Sequence, residues 1–105
     1  MPPAIALFRI GQVVHHRLYD YRGVIVDADP SFRLTEAWYE ANAKSSPPKD
    51  KPWYYVLVHG TVHRTYVPEV NLEPDMAGDP INHPDLNQFF DEQCDDGYVS
   101  RRRGN

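Results

Sequence analysis

The sequence has a single cysteine, Cys94, and no long apolar run. One cysteine cannot form an intrachain disulfide or a zinc site built from several cysteines, and this is typical of a protein in a reducing compartment. No segment reaches the roughly 18 apolar residues that a membrane-spanning helix needs, and the first residues lack the basic segment and cleavage site of a secretion signal. We therefore expect a cytoplasmic protein without membrane contact.

Positive charge is scarce in the last third of the chain. Residues 68–105 carry three basic and nine acidic side chains, a balance of −6, whereas residues 1–67 carry eight basic and six acidic ones, a balance of +2. Proteins that bind duplex DNA tightly usually have a concentrated basic surface, because neutralising phosphates supplies much of their affinity. The composition therefore offers only a weak basic surface.

Catalytic and cofactor motifs are also missing. The sequence has no phosphate-binding loop or dinucleotide fingerprint, and no serine in a strand-to-helix elbow. Histidines 59 and 63 can approach each other across a hairpin, and one of the adjacent histidines 15 and 16 can join them, but no fourth ligand is evident. We interpret these histidines as ordinary polar strand positions, and we predict a protein that is not an enzyme and has no catalytic residue, metal ion or cofactor.

Short β-rich segments are what the sequence does contain. Residues 8–16 alternate between the two faces of a strand, and Gly23–Ala28 is a second β-branched run. Too few residues separate them for a crossover helix, so the two strands should pair antiparallel. Trp53–Val58 and Val62–Val67 flank a glycine turn, which predicts a hairpin, and residues 70–72 add a short fifth strand. We predict a mainly β protein with a small, closed, SH3-like, five-stranded antiparallel barrel, because closure removes exposed strand edges.

The predicted barrel occupies residues 1–74 and contains a long insertion, residues 31–52, between its second and third strands. Within the insertion, apolar residues recur at helical spacing around Trp38, and Thr35 is a suitable N-cap. We therefore predict a short helix near residues 35–43. Such a helix is marginal alone and must lie on the barrel.

Residues 75–105 form a predicted acidic C-terminal extension with a short helix near residues 84–91, followed by a mobile tail. Its apolar side chains are either partner anchors or covers for the open ends of the barrel. The candidate partner-binding residues are Leu86, Phe89 and Phe90, together with Trp38 in the insertion.

A second candidate surface combines basic and aromatic side chains. Arginines with interleaved rings on a small barrel can hold phosphates and stack bases. The alternative is that the arginines form a solvated surface and the tyrosines fill the core. The candidate DNA-binding residues are Arg17, Arg22, Arg33 and Arg64, with Tyr19, Tyr21, Trp53 and Tyr55 nearby.

Four segments of the chain carry a family pattern. They are F-x-I-G-Q-x-V-x-H from Phe8, Y-x-G-V-x-V-D-x-D-P from Tyr21, P-W-Y-x-V from Pro52 and Y-V-x-E-x-N-L from Tyr66. In this order they resemble the heat-shock protein HspQ family, also called the hemimethylated-DNA-binding or YccV-like domain. Where relatives tend to have glycine, in the first turn, this chain has Asp20. The matching positions, most of which should hold the fold, are Gly11, His16, Tyr21, Gly23, Asp29, Pro30, Trp53, Tyr54, Tyr66, Glu69 and Asn71.

The resemblance implies an SH3-like barrel in a heat-induced bacterial protein of the cytoplasm, and one of two activities. The protein either modulates the ATP-dependent Lon protease or delivers substrates to it, including the replication initiator, or it binds hemimethylated DNA at the replication origin. We favour the protease, because the acidic last third would repel phosphates within the Debye length of about 8 Å. The resemblance is also compatible with a homo-oligomer.

Overall fold

A five-stranded antiparallel sheet forms the centre of the protein. The computed structural model describes residues 6–43, 45–94 and 97–101. The strands of the sheet are β1 (Val13–His16), β2 (Arg22–Asp29), β3 (Trp53–Val58), β4 (Arg64–Pro68) and β5 (Leu72–Pro74). They lie in the order β4-β3-β2-β1-β5, and all pairs are antiparallel. The prediction of a mainly β protein with a five-stranded antiparallel sheet is confirmed.

The predicted closure of this sheet into a barrel is wrong. Within the part of the chain that the structure describes, no ladder joins β4 to β5, so these two strands are the edges of an open sheet. The reason lies between them: Pro68 has no N–H to continue the ladder, and a 3₁₀ helix (Glu69–Asn71) then redirects the chain. As a result β5 pairs with β1, and Leu72 lies opposite His16.

Both faces of the sheet are covered by apolar residues. Because successive side chains of a strand leave opposite faces, Val24 and Ile25 belong to different clusters. The inner cluster consists of Phe8, Val14, Ile25, Tyr54, Val56, Val67 and Leu72. The outer cluster consists of Val24, Val26 and Leu57 from the sheet with Ile81, Phe90 and Tyr98 from the C-terminal segment.

The C-terminal segment forms α2 (Leu86–Phe89) and a second, two-stranded sheet of β6 (Phe90–Cys94) and β7 (Gly97–Ser100). The sequence predicts a longer helix near residues 84–91, but the helix ends where Phe90 starts β6. It also predicts a mobile tail over residues 95–105, of which residues 95–96 and 102–105 lie outside the described part of the chain, whereas Gly97–Ser100 form a strand. The cause is Tyr98, which is 5% exposed and whose hydroxyl accepts a hydrogen bond of 2.8 Å from the N–H of Ile81.

Two glycines allow the C-terminal strands to approach the sheet. Gly11 has a φ of +94°, and a Cβ there would lie 2.2 Å from the carbonyl oxygen of Tyr98. A Cβ at Gly97 would lie 2.2 Å from the carbonyl oxygen of Gly11. The Tyr98 N–H donates a hydrogen bond of 2.7 Å to that same Gly11 oxygen. The division of the chain at residue 74 stays a prediction, but the outer cluster joins residues from both sides of it.

The insertion between β2 and β3 contains the helix α1 (Glu36–Asn42). It begins after Thr35, whose hydroxyl accepts a hydrogen bond of 3.1 Å from the Trp38 N–H. Ring contacts fasten this helix to the sheet, because Phe32 lies 5.0 Å from Trp53 and 5.2 Å from Tyr39. Neither helix in the described ranges is long and apolar enough to cross a bilayer.

Candidate functional site

A groove of about 700 Å³ runs along the edge strand β4, and we call it the β4 groove. All five residues of β4 line it. One wall is the turn between β1 and β2, which contributes Leu18, Tyr19 and Tyr21. The opposite wall is the insertion, which contributes Leu34 and Trp38 among others.

Aromatic rings form one side of the β4 groove. Tyr66 stacks on Trp53 with ring centroids 5.2 Å apart, and it lies 4.5 Å from Tyr55 and 5.7 Å from Trp38. The Tyr66 hydroxyl donates to Asp29 at 2.7 Å and accepts the Arg33 N–H at 3.2 Å. Burial and the bond to Asp29 raise the pKa of Tyr66 above its usual value, so the hydroxyl stays a donor. This contact explains the family-pattern position Asp29.

The only charged side chain among the described lining residues is that of Arg64. Its guanidinium carbon lies 4.8 Å above the centre of the Tyr55 ring, which is a cation–π geometry. None of the described lining residues is an aspartate or a glutamate, although the whole chain has a net charge of −4. The groove is therefore suited to an apolar ligand that also carries negative charge.

The turn wall of the groove is held by a buried histidine. His16 is 3% exposed, and its Nδ1 accepts hydrogen bonds from the N–H groups of Leu18, at 3.1 Å, and Tyr19, at 3.0 Å. Its ring stacks on Tyr19 at 4.6 Å and lies 4.9 Å from Tyr21. Burial is the main cause that lowers the pKa of His16. The charge of the neighbouring His15 acts in the same direction and is the smaller cause. A neutral imidazole therefore accepts the two N–H groups that shape the turn.

The pKa of the neighbouring His15 is shifted in the opposite direction. The Nε2 of His15 lies 2.6 Å from Asp20 and its Nδ1 lies 2.8 Å from Glu73. The hydrogen bonds to Asp20 and then to Glu73 raise the pKa of His15, because both carboxylates favour a ring that donates from both nitrogens. Asp20 has a φ of 57°. Asp20 therefore adopts the left-handed conformation that glycine favours.

The histidines do not assemble into a metal site. The Nδ1 of His59 accepts the Asn82 N–H at 2.8 Å, and the backbone oxygen of His63 binds the His83 ring at 3.0 Å. Within residues 6–43, 45–94 and 97–101, no three histidine, cysteine or acidic side chains are arranged so that they could hold an ion.

The four arginines of the predicted DNA surface are dispersed. The Arg22 side chain is only 19% exposed and binds Asp75 at 3.0 Å, while Arg17 lies 4.0 Å from Glu73. Arg33 is exposed beside the insertion wall. Only Arg64 lines the β4 groove. The structure therefore leaves Arg33 and Arg64 without a carboxylate partner among the described residues, and it uses Arg22 to fix the sheet.

The predicted partner-binding residues also divide into two groups. Trp38 lines the β4 groove. Phe90 is 2% exposed in the outer cluster, and Leu86 and Phe89 pack against that cluster. These side chains lie against a face of the open sheet and not at the ends of a barrel, and a role for them as partner anchors stays a prediction.

The remaining family-pattern positions support the fold around the groove. The buried Tyr54 hydroxyl donates to Glu69 at 2.6 Å, and a Cβ at Gly23 would lie 2.4 Å from the Val56 side chain. Tyr21 bonds to Thr65 at 2.8 Å. Asn71 lines the groove, its backbone oxygen accepts the Arg17 N–H, and Pro30 follows the last residue of β2.

Several lining residues have little signal in the sequence that they belong to one site. Leu18, Leu34 and Thr65 belong to three different segments, and only the folded chain brings them together. The high exposure of Leu18, 60%, and of Tyr19, 67%, is likewise a property of the fold. The local hint of the turn wall in the sequence is the pair Leu18 and Tyr19, which are two apolar residues within a turn.

One protein-family model, described as "Hemimethylated DNA-binding protein YccV like", matches residues 6–97. The match extends beyond the four segments of the family pattern. It includes all strands of the central sheet, the β4 groove and β6.

Proposed function

Because this chain belongs to the YccV-like family of hemimethylated-DNA-binding proteins, we propose that it is a non-enzymatic binding protein of the HspQ type that modulates the Lon protease or delivers substrates to it. The replication initiator is among the proposed substrates. The family match confirms the resemblance of the four segments. The β4 groove is the proposed docking site, and the cytoplasm is the proposed location.

The observation that carries this proposal is the composition of the β4 groove. Its exposed or half-buried rings, which include those of Tyr19, Trp38 and Tyr55, and its single arginine are the residue types that supply most binding energy at protein interfaces. Leu18 and Tyr19 at the rim are mostly exposed, although each would bury apolar area in a complex. The groove therefore suits a protein segment.

The arginines favour this role over tight binding to duplex DNA. Arg22 is committed to Asp75, and Arg17 lies near Glu73. A surface with two remaining arginines, Arg33 and Arg64, neutralises few phosphates, and the affinity for a duplex depends on that number. We also propose that the sheet curls in the SH3-like manner, supported by the pairing of β1 with both β2 and β5.

Hemimethylated DNA at the replication origin is the second candidate. It is supported by the description of the family and by the stacking of Arg64 over Tyr55. A base taken out of a duplex can stack on such rings while an arginine holds the phosphate.

A reconstituted degradation assay tests the first candidate. Purified Lon, ATP and the unfolded initiator are combined with the wild-type protein, with the double variant Trp38→Ala/Arg64→Ala, or with Met76→Ala, whose side chain is exposed outside the groove. We expect the wild type and Met76→Ala to change the initial rate at least about twofold and the double variant to have no effect.

The second candidate predicts a different result. The wild type would leave the degradation rate unchanged and would bind a hemimethylated duplex more tightly than an unmethylated one. That affinity would fall steeply between 50 and 200 mM salt. Such a combination of results would refute the protease proposal.

A further inference from the structure

In the described part of the chain β4 is an edge strand of the sheet, and it lies along the β4 groove. Two backbone bonds bracket the β3–β4 ladder: Val58 N–H to His63 O and Glu69 N–H to Pro52 O, both 3.0 Å. The register pairs Val56 with Thr65 and Tyr54 with Val67. Because hydrogen-bonded pairs alternate with unbonded pairs in an antiparallel ladder, Thr65 and Val67 direct their backbone groups to β3. The backbone groups of Arg64 and Tyr66 therefore point away from β3.

We propose that the β4 groove binds an extended segment of a partner protein as an additional strand on β4. The inference rests on the proposed protein-binding function and specifies its ligand. The ligand has apolar or aromatic side chains at alternate positions and a carboxylate at the end nearest Arg64. The outward N–H and C=O groups of Arg64 and Tyr66 supply the new ladder, as in other cases of strand addition.

The length of β4 sets the length of the ligand. Five residues of a strand span about 16 Å at roughly 3.3 Å per residue, so the groove accommodates about five residues of an extended chain. Pro68 stops the ladder at one end because proline has no N–H.

The two walls of the groove determine which side chains fit. Side chains of an added strand alternate between two directions. In one direction they meet the rings of Trp53 and Tyr66, and in the other they meet Tyr21 and Thr65. The first side consists of aromatic rings and the second of the Tyr21 ring beside Thr65, so each alternating set of ligand side chains meets at least one ring.

Charge complementarity selects the acidic end. The guanidinium of Arg64 is exposed and lies over the Tyr55 ring, and none of the described lining residues is a carboxylate. A carboxylate of the ligand would thus have a partner, whereas a lysine of the ligand would face Arg64.

The other edge of the sheet does not offer the same site. The strand β5 has only three residues and ends at Pro74, and the following Asp75 binds Arg22. Short edge strands, prolines and charges are the means by which proteins protect edges from pairing. The edge β5 is protected in this way, whereas β4 is a longer edge strand of five residues with no neighbouring strand on its outer side in the described part of the chain.

Methylation of peptide amides tests the pairing. The probe is a capped eight-residue peptide in which phenylalanine and valine alternate with threonine and which carries one glutamate. Its affinity is measured by calorimetry, followed by copies with a single N-methyl amide at each position. We expect methylation at the two amides, separated from each other by one residue, that bond to Arg64 and Tyr66 to weaken binding at least about tenfold, because only those amides pair with β4. The other copies should bind within about twofold.

Hydrogen exchange gives the same test from the side of the protein. At saturating peptide, exchange of the Arg64 and Tyr66 amides should slow at least about tenfold, because opening of the new bonds then limits exchange. The amides of Thr65 and Val67 serve as controls and should change little. An absence of binding at 1 mM peptide, a uniform effect of methylation or unchanged exchange at Arg64 and Tyr66 would each overturn the inference.

A double-mutant cycle tests the charge. Replacing the glutamate of the peptide by glutamine should weaken binding to the wild type and to Arg64→Lys about threefold or more, and should have no effect on Arg64→Ala. A labelled copy of the peptide is used for competition. If a single-stranded oligonucleotide displaces it at a lower concentration than the unlabelled peptide does, the groove is assigned to nucleic acid.

The two proposals fail in different ways. If the methylation pattern is found but Lon activity does not change, strand addition stands and the protease function fails. If Lon activity depends on Trp38 and Arg64 but no alternating pattern is found, the function stands and strand addition fails.

Discussion

The outer face of the sheet and the β4 groove differ in how far their apolar side chains are exposed to solvent. On the outer face, Phe90 and Tyr98 of the C-terminal segment are almost completely buried against Val24 and Leu57. Along the groove, Leu18 and Tyr19 stay mostly exposed. Among the described residues, the C-terminal segment covers the outer face, whereas Leu18 and Tyr19 at the rim of the groove have no such cover, which is why we place the partner at the groove.

The difference also concerns the backbone. On the outer face, the Tyr98 N–H binds the Gly11 oxygen, so the approaching segment is fixed by main-chain contacts. At the groove, the outward groups of β4 have no neighbouring strand in the described part of the chain. An apolar side chain alone is thus a poor sign of an interface, and an open strand edge beside it is a better one.

The largest expected effect is a loss of stability at the contact between the sheet and the C-terminal segment. Gly11→Ala places a Cβ against the Tyr98 carbonyl at a φ of +94°, and we expect a loss of about 3 kcal/mol in the free energy of unfolding. The matched control is Gly60→Ala, at a φ of +77° with open space around it, which should lose only about 1 kcal/mol. Urea denaturation of both variants measures the difference. Equal losses would mean that the close contact contributes nothing.

A pair of arginine variants should sharpen the contrast. Arg22→Ala leaves the mostly buried Asp75 without its partner, and we expect a loss of about 2 kcal/mol in stability. Arg64→Ala should change stability by less than about 0.5 kcal/mol and should affect ligand binding instead. Thermal unfolding of both variants checks this prediction, and a reversed order would show that Arg64 holds the fold.

The smallest effect concerns the two histidines beside the groove, because their contributions have opposite signs. Burial lowers the pKa of His16, so its stabilising contribution is complete above its unfolded value of about 6.5 and is lost as the pH falls through the lower folded value. Hydrogen bonds to Asp20 and Glu73 raise the pKa of His15. Its contribution is complete below about 6.5 and is lost as the pH rises through the higher folded value.

Urea unfolding of His15→Gln and His16→Gln between pH 4.5 and 8.5 tests these signs. The stability difference between the wild type and His16→Gln should shrink below pH 6.5, and the difference for His15→Gln should shrink above it. Differences that do not depend on pH would contradict the assigned directions of the two pKa shifts.

Strands with strong local patterns could be predicted from the sequence, and distant contacts could not. Trp53–Val58 is β-rich in itself, so its strand was predictable. The strand at Gly97–Ser100 depends on the outer face, which finds a place for Tyr98, and an acidic local composition hides it. The predicted closure of the barrel is wrong because the turn after Pro68 determines which strand pairs with β5.

The candidate site was predicted in part. Trp38 and Arg64 were identified by residue type, and both line the groove. The sequence predicts that Arg22 lies on the DNA surface with Arg64, but in the folded chain Arg22 binds Asp75. Residue type indicates what a side chain can bind, whereas its partner depends on contacts far apart in the sequence.

The contact between Gly11 and Tyr98 sets the time at which the protein can finish folding during synthesis. The ribosome makes the five strands of the sheet before it reaches residue 98. Until then Val24, Val26 and Leu57 lack their cover, so every nascent chain passes through a stage in which chaperones can bind this face.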